Sequence, residues 1–154
     1  MQRLRRLFVW RGRATRREYW EALALGVAAW LVGMGLALAV MVTTDWVVGG
    51  VIAAVIPMAV GSFAWAATAM RRFRDRNRSP LFFVVLIVGP QQLWSFARDL
   101  GGFEGAPYVK LLLMVMAIGL ASWGFVELGV LRGTVGRNRY GDDPLNPTPA
   151  EVFT

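Results

Sequence analysis

The chain contains no cysteine and no histidine. Those two absences exclude disulfides, thiol nucleophiles, Cys/His zinc sites, histidine-ligated haem and every Ser-His-Asp arrangement. Missing cysteine says nothing about redox compartment. Charge is also scarce: 18% of the 154 residues are charged and 56% are hydrophobic. A soluble domain carries about a quarter charged residues, and a chain this short has too little interior to hide the surplus apolar side chains. Lipid is the simpler solvent for them. Lysine is nearly absent as well, with Lys110 alone among 17 basic residues. The net charge is nonetheless +7. A basic balance suits nucleic acid or an anionic membrane surface, and the placement of the charges decides between them.

Charge vanishes from Ala22 to Val42, from Trp46 to Met70 and from Ser79 to Ala97, and Leu111 to Leu131 contains only Glu127. About 20 apolar residues cross the hydrocarbon core as a helix. The third stretch is short; it reaches length if Ser79 caps it, Pro80 opens it and Arg98 snorkels outward. Pro90 is expected to kink it, turning Gln91 and Gln92 toward protein. No stretch alternates polar with apolar residues as a barrel strand would, and Trp46 to Met70 keeps no charged face for a soluble bundle. A cleaved signal peptide has an apolar run of about 7–15 residues, shorter than the first stretch. The expected fold is therefore an all-α polytopic membrane protein, a bundle of four transmembrane helices. One membrane domain, 1–154, would place spans at about 21–42, 46–70, 80–98 and 110–131. Leu4, Leu7 and Phe8, flanked by arginines, suggest a short N-terminal interfacial helix ending at Gly12. The glycines and prolines after Gly133 predict a turn-rich C-terminal tail.

Arginine orients the bundle. Every basic residue except Arg98 and Lys110 lies in segments 1–19, 71–79 and 132–154. Four spans bring those segments to one side, and positive charge marks that side as cytoplasmic. A reporter fused after Thr154 is expected in the cytoplasm, and one within Gly102 to Pro107 in the periplasm. Small residues recur every fourth position: Ala29, Gly33 and Ala37; Gly49, Ala53, Pro57 and Gly61; Ala117 and Ala121. Such rows let helices approach closely, here most simply within the bundle.

Three polar clusters lie on the arginine side. The first, Trp10-Arg11-Gly12-Arg13-Ala14-Thr15-Arg16-Arg17-Glu18-Tyr19-Trp20, contains a capping box, Thr15 with Glu18. The second runs from Arg71 to Ser79 and includes Arg72 and Asp75. The third, Gly133 to Pro144, includes Thr134, Gly136, Asn138, Arg139, Tyr140, Gly141 and Asp143. In order and spacing around four spans, these clusters resemble the bacterial inner-membrane family called domain of unknown function 805. Its pattern runs G-R-x-x-R-x-E-Y-W, then R-R-L-H-D-x-x-x-S, then G-T-x-G-x-N-R-Y-G-x-D-P. The family histidine is Arg74 here, so a role that needs a titrating imidazole is not carried over. The resemblance implies an inner-membrane location and no established activity.

Arginine forks bind phosphate and carboxylate bidentately. The candidate face is Arg13, Arg16, Glu18, Tyr19, Trp20, Arg71, Arg72, Asp75, Ser79, Asn138, Arg139, Tyr140 and Asp143. Two uses stand open for it: lacing the helix ends together, or a composite site for anionic lipid headgroups or a protein partner. The last cluster is expected to pack against Arg13 or Arg16 and Arg71 or Arg72, with Asp75, Asp142 or Asp143 pairing an arginine. Glu127 is the one intramembrane acid, near the arginine end and expected to pair there. The leading expectation is a non-enzymatic membrane protein with no catalytic, cofactor-binding or metal site and no nucleic-acid partner. The alternative is a small oligomeric transporter or channel using Glu127, Gln91 and Gln92.

Overall fold

The computed structural model describes residues 8–100 and 107–146. Among them it is all-helical. Helix α1 spans Arg16–Thr44 and α2 spans Val47–Asp75. Helix α3 covers 82–99, with Val84–Val88 wound as a π-turn and Gly89–Asp99 as α-helix. Helix α4 covers Pro107–Val130, α-helical to Phe125 and π-wound over Val126–Val130. The expected interfacial helix lies mostly outside the described residues, and Phe8 to Gly12 is turn and bend.

Three of the four, α1, α2 and α4, are long and apolar enough to cross a membrane. At 29 residues α1 and α2 rise about 43 Å each, more than the ~30 Å thickness of a hydrocarbon core. Their large side chains point outward: Leu31, Val42 and Ile56 are 66%, 72% and 70% exposed. Water does not tolerate contiguous apolar surface on that scale. These are the surfaces of a membrane protein.

Close approach of small residues builds the α1–α2 hairpin. A Cβ on Gly61 would stand 2.6 Å from Cβ of Ala29, and one on Gly33 would stand 3.0 Å from the Ala54 carbonyl oxygen. Ala37 meets Gly50 in the same way. The first row and the Pro57 and Gly61 part of the second thus lie in the hairpin seam, which Gly50 and Ala54 complete in place of Gly49 and Ala53. The second hairpin, α3 with α4, joins where Gly124 packs on the Leu86 carbonyl.

The expected kink at Pro90 takes the form of the π-turn preceding it. Proline has no N–H to give Leu86 and its ring crowds that carbonyl. The wider winding, with the Gly89 N–H bonded to Val84 O, makes room. Within the chain itself Gln91 and Gln92 are exposed, with Gln91 at the edge of a groove toward α1 and α2. Leu86, Pro90 and Ala97 are the buried residues of α3, so both amides fall on the opposite, exposed side.

The core lies at one end of the bundle. Tyr19, Ala69, Phe73, Leu86 and Leu128 are buried together, drawn from all four helices. The N-terminus of α1, the C-termini of α2 and α4, and the tail all meet beside it.

Candidate functional site: an arginine brace at one end of the bundle

Thr15 starts α1 with both halves of the expected capping box. Its hydroxyl accepts from the Glu18 N–H at 3.2 Å, and its own N–H donates to Glu18 Oε2 at 3.1 Å. That fixes where the chain enters the helix and sets Arg13 just outside the first turn.

Asp75, the last residue of α2, is the centre of the site and only 3% exposed. Arg13 Nε donates to its Oδ1 at 2.8 Å, and Arg72 Nη1 donates to its Oδ2. One carboxylate against two buried guanidinium groups leaves an unbalanced positive charge, and burial of unbalanced charge is costly. Backbone carbonyls supply the balance. Arg13 Nη1 donates to Gly136 O at 2.6 Å and more weakly to Gly141 O at 3.4 Å, and Nη2 donates to Thr134 O. Gly136 and Gly141 have φ of 76° and 130°, a region other residues avoid. Those turns aim their carbonyls at Arg13. All three nitrogens of Arg13 donate within the chain.

Arg72 does the same for α4. Its Nε donates to Leu128 O at 2.9 Å and its Nη2 to Leu131 O. The last carbonyls of a helix have no partner of their own and carry the negative end of the dipole. The final turn of α4 contains no basic residue to cap them. Other helices do it instead: Trp20 Nε1 donates to Gly129 O at 3.2 Å, Arg16 to Val130 O at 3.0 Å and Arg76 to Arg132 O at 2.6 Å. From Leu128 to Arg132, each carbonyl takes a donor from α1 or from the end of α2.

The tail is pinned from its own side too. Thr134 donates through its N–H and its hydroxyl to the Asp75 carbonyl, both at 2.9 Å. Asn138 Nδ2 donates to Arg74 O at 3.0 Å and to the Thr134 hydroxyl at 2.9 Å. Arg139 donates to Asn77 O and lies over the Tyr140 ring at 4.7 Å. Asp143 accepts from the N–H groups of Leu145 and Gly136 at 3.0 and 3.1 Å. Those bonds, Leu145 first, hold its carboxyl below the usual carboxylate range, aided by Arg13 and Arg132.

The remaining candidates fall nearby. Arg71 is buried and reaches the Thr68 hydroxyl at 3.4 Å. Ser79 accepts from the Leu81 N–H at 3.3 Å at the start of α3. Arg74, at the family's histidine position, donates to Trp10 O. Glu127 is 3% exposed and accepts from Arg76 Nε at 3.2 Å, with Arg78 Nε at 3.6 Å. Both arginines are partly solvated and Arg76 keeps Arg132 O. Glu127→Gln is therefore expected to lower stability by only about 1 kcal/mol. Thermal melting in detergent checks this, and a collapse of abundance would contradict it.

Sequence reasoning expected the motifs to cap helices but did not single out α4 as the end that is capped from outside. The signal was present: a last span ending without a basic residue or its own cap, in a chain with an indole and arginines at two neighbouring helix ends. Among the described residues, no three His, Cys, Asp or Glu side chains group to hold a metal. A cavity of about 20 Å³ opens between Arg16, Arg72, Arg132, Thr134 and Asp143, room for one water-sized group.

Comparison with known proteins agrees with the motif reading. The family described as "Protein of unknown function (DUF805)" matches residues 7–142, and the chain belongs to that family. It is similar to "Uncharacterized protein YiiR" of Escherichia coli (strain K12), 27% identical over 140 residues, 89% of this chain and 86% of the relative. The protein of the same name from Escherichia coli O157:H7 is similar to the same extent. No solved structure matches.

Proposed function

We propose that this is a non-enzymatic integral protein of the bacterial cytoplasmic membrane whose arginine end holds anionic lipid headgroups. In this reading the chain crosses four times, with both termini and the brace on the cytoplasmic side. The 18 residues of α3 rise about 27 Å, close to a hydrocarbon core. The arginine segments lie on one side, as the positive-inside bias requires.

The observation that carries the lipid reading is the division of labour among the arginines. Every side-chain nitrogen of Arg13 and Arg72 already donates to Asp75 or to a backbone carbonyl, which commits both to bracing the fold. Arg11, Arg132, Arg137 and Arg139 stay exposed around them. Among these four the described carboxylates reach only Arg137, whose pair with Asp142 is exposed and 3.7 Å long. Such a pair contributes little. A ring of outward guanidinium groups at headgroup depth attracts phosphate at about 1 kcal/mol per arginine. Catalysis has less support: the chain has no His or Cys, and of the buried acids, Asp75 and Glu127 are held by arginine and Asp143 by backbone N–H groups. Transport also has less support, since Glu127 lies among arginines near one end rather than along a path.

The test replaces Arg11, Arg132, Arg137 and Arg139 with glutamine in nanodiscs of defined lipid. Wild type is expected to melt higher in phosphatidylglycerol than in phosphatidylcholine. The variant should lose most of that difference, up to about 4 kcal/mol, while its melting in phosphatidylcholine falls only by what the Arg139 bond to Asn77 O contributes, about 1 kcal/mol. A lipid preference that survives the four substitutions would refute the reading.

A further inference from the structure

Helix α3 carries a polar stripe that nothing else in the described chain covers. Gln91, Gln92, Ser95, Arg98 and Asp99 recur at i, i+1, i+4, i+7 and i+8, which is one helical face. That face is opposite Leu86, Pro90 and Ala97, the buried side on which α3 packs against α4. Toward α1 and α2 the helix stands off. A groove of about 530 Å³ separates them, walled by Trp30, Leu31, Ser62, Trp65 and Ile87, with Gln91 at its edge. Both glutamines are exposed, and neither amide has a hydrogen-bond partner among the described residues.

In the four-span reading, on which this inference rests, the exposure is to lipid. Gln91 lies about 14 Å along α3, near the middle of a ~30 Å core. Acyl chains offer an amide no hydrogen bond at that depth, so two uncovered amides side by side are unfavourable there. The chemistry that satisfies them is another set of amides.

We propose that the stripe is the contact face of a homodimer. The argument for a second copy is self-complementarity. A twofold axis along the membrane normal brings α3 against its copy in parallel, so residues at equal height meet. An amide is donor and acceptor at once, so Gln91 and Gln92 satisfy their own counterparts. Arg98 and Asp99 differ in height by one residue and carry opposite charge. Each copy's arginine therefore meets the other's aspartate, twice over. Ser95 is small enough to let the helices close between the amides and the ion pairs.

The absence of cysteine makes the test direct, since any introduced thiol is unique. Gln91→Cys, Gln92→Cys and Ser95→Cys are each expected to give a disulfide-linked dimer on oxidation in native membranes. Met116→Cys and Ile118→Cys, at similar depth on exposed positions of α4, should give none. The Gln91→Leu/Gln92→Leu double variant should keep wild-type abundance and helicity, because neither residue packs in the core. Its dimer dissociation constant in detergent should rise roughly tenfold or more, at about threefold per interhelical hydrogen bond. Arg98→Asp alone should weaken the dimer, and Arg98→Asp with Asp99→Arg should restore it. Three results would overturn the proposal: monomer at all three stripe cysteines, a cross-link to a different protein, or labelling of Gln91→Cys by a membrane-impermeant maleimide. The last would also remove α3 from the bilayer core. The first two would leave the lipid reading of the arginine ring untouched.

Discussion

Asp75→Ala is expected to reduce folded protein in the membrane to a small fraction of wild type. The carboxylate balances Arg13 and Arg72, which are 7% and 1% exposed. Breaking a buried ion pair by removing one partner costs about 3–5 kcal/mol, because the other charge stays buried and uncompensated. Here one deletion strands two. A fold of this size has about 5–15 kcal/mol in total, so the loss takes a large share of it. Asp75→Asn keeps an acceptor but no charge and should fall between. Asp142→Ala, which removes an exposed partner of Arg137, should change nothing measurable. Abundance in the membrane fraction and melting of purified protein read all three. Wild-type melting in Asp75→Ala would show that the brace contributes no stability.

Gly133→Ala is expected to release the tail without unfolding the helices. A Cβ at Gly133 would fall 1.8 Å from Asp75 Oδ2 and 2.5 Å from its Cγ. That carboxylate cannot swing aside, since arginines hold both oxygens. The tail must lift instead. It then loses the two bonds from Thr134 to the Asp75 carbonyl and the three carbonyl contacts to Arg13. At about 1 kcal/mol each, even two lost bonds raise the open population more than tenfold. Trypsin reports it, because Arg137 and Arg139 are exposed and cleavage tracks the open state when opening is fast. Cleavage after these residues should accelerate at least about tenfold while helical circular dichroism is retained. Unchanged cleavage would mean that the tail has room the geometry denies.

Different physics made different parts of this protein legible. The helices were readable because lipid imposes its demand on every residue of a span, so composition alone reports it. The capping box was readable because its four residues are neighbours in sequence. The motifs pointed to one end of the bundle, and Arg13, Arg72, Asp75, Thr134 and Gly136 do meet there. The outward turn of Gln91 and Gln92 was not readable, because which side of α3 is buried depends on where α4 settles.

By itself the sequence determined that the chain is helical and apolar enough for a membrane, that its arginines gather at one end, and which family it belongs to. Those properties are carried by runs and short spacings, which no partner is needed to define. Only the tertiary structure decided which arginines are committed to the fold and which are left facing outward. Arg13 and Arg11 are two residues apart and chemically the same, yet one is bound on three nitrogens and the other is exposed. The difference comes from residues more than 60 positions away, at Asp75 and in the tail. A guanidinium group takes its role from the carboxylates and carbonyls that folding brings within reach.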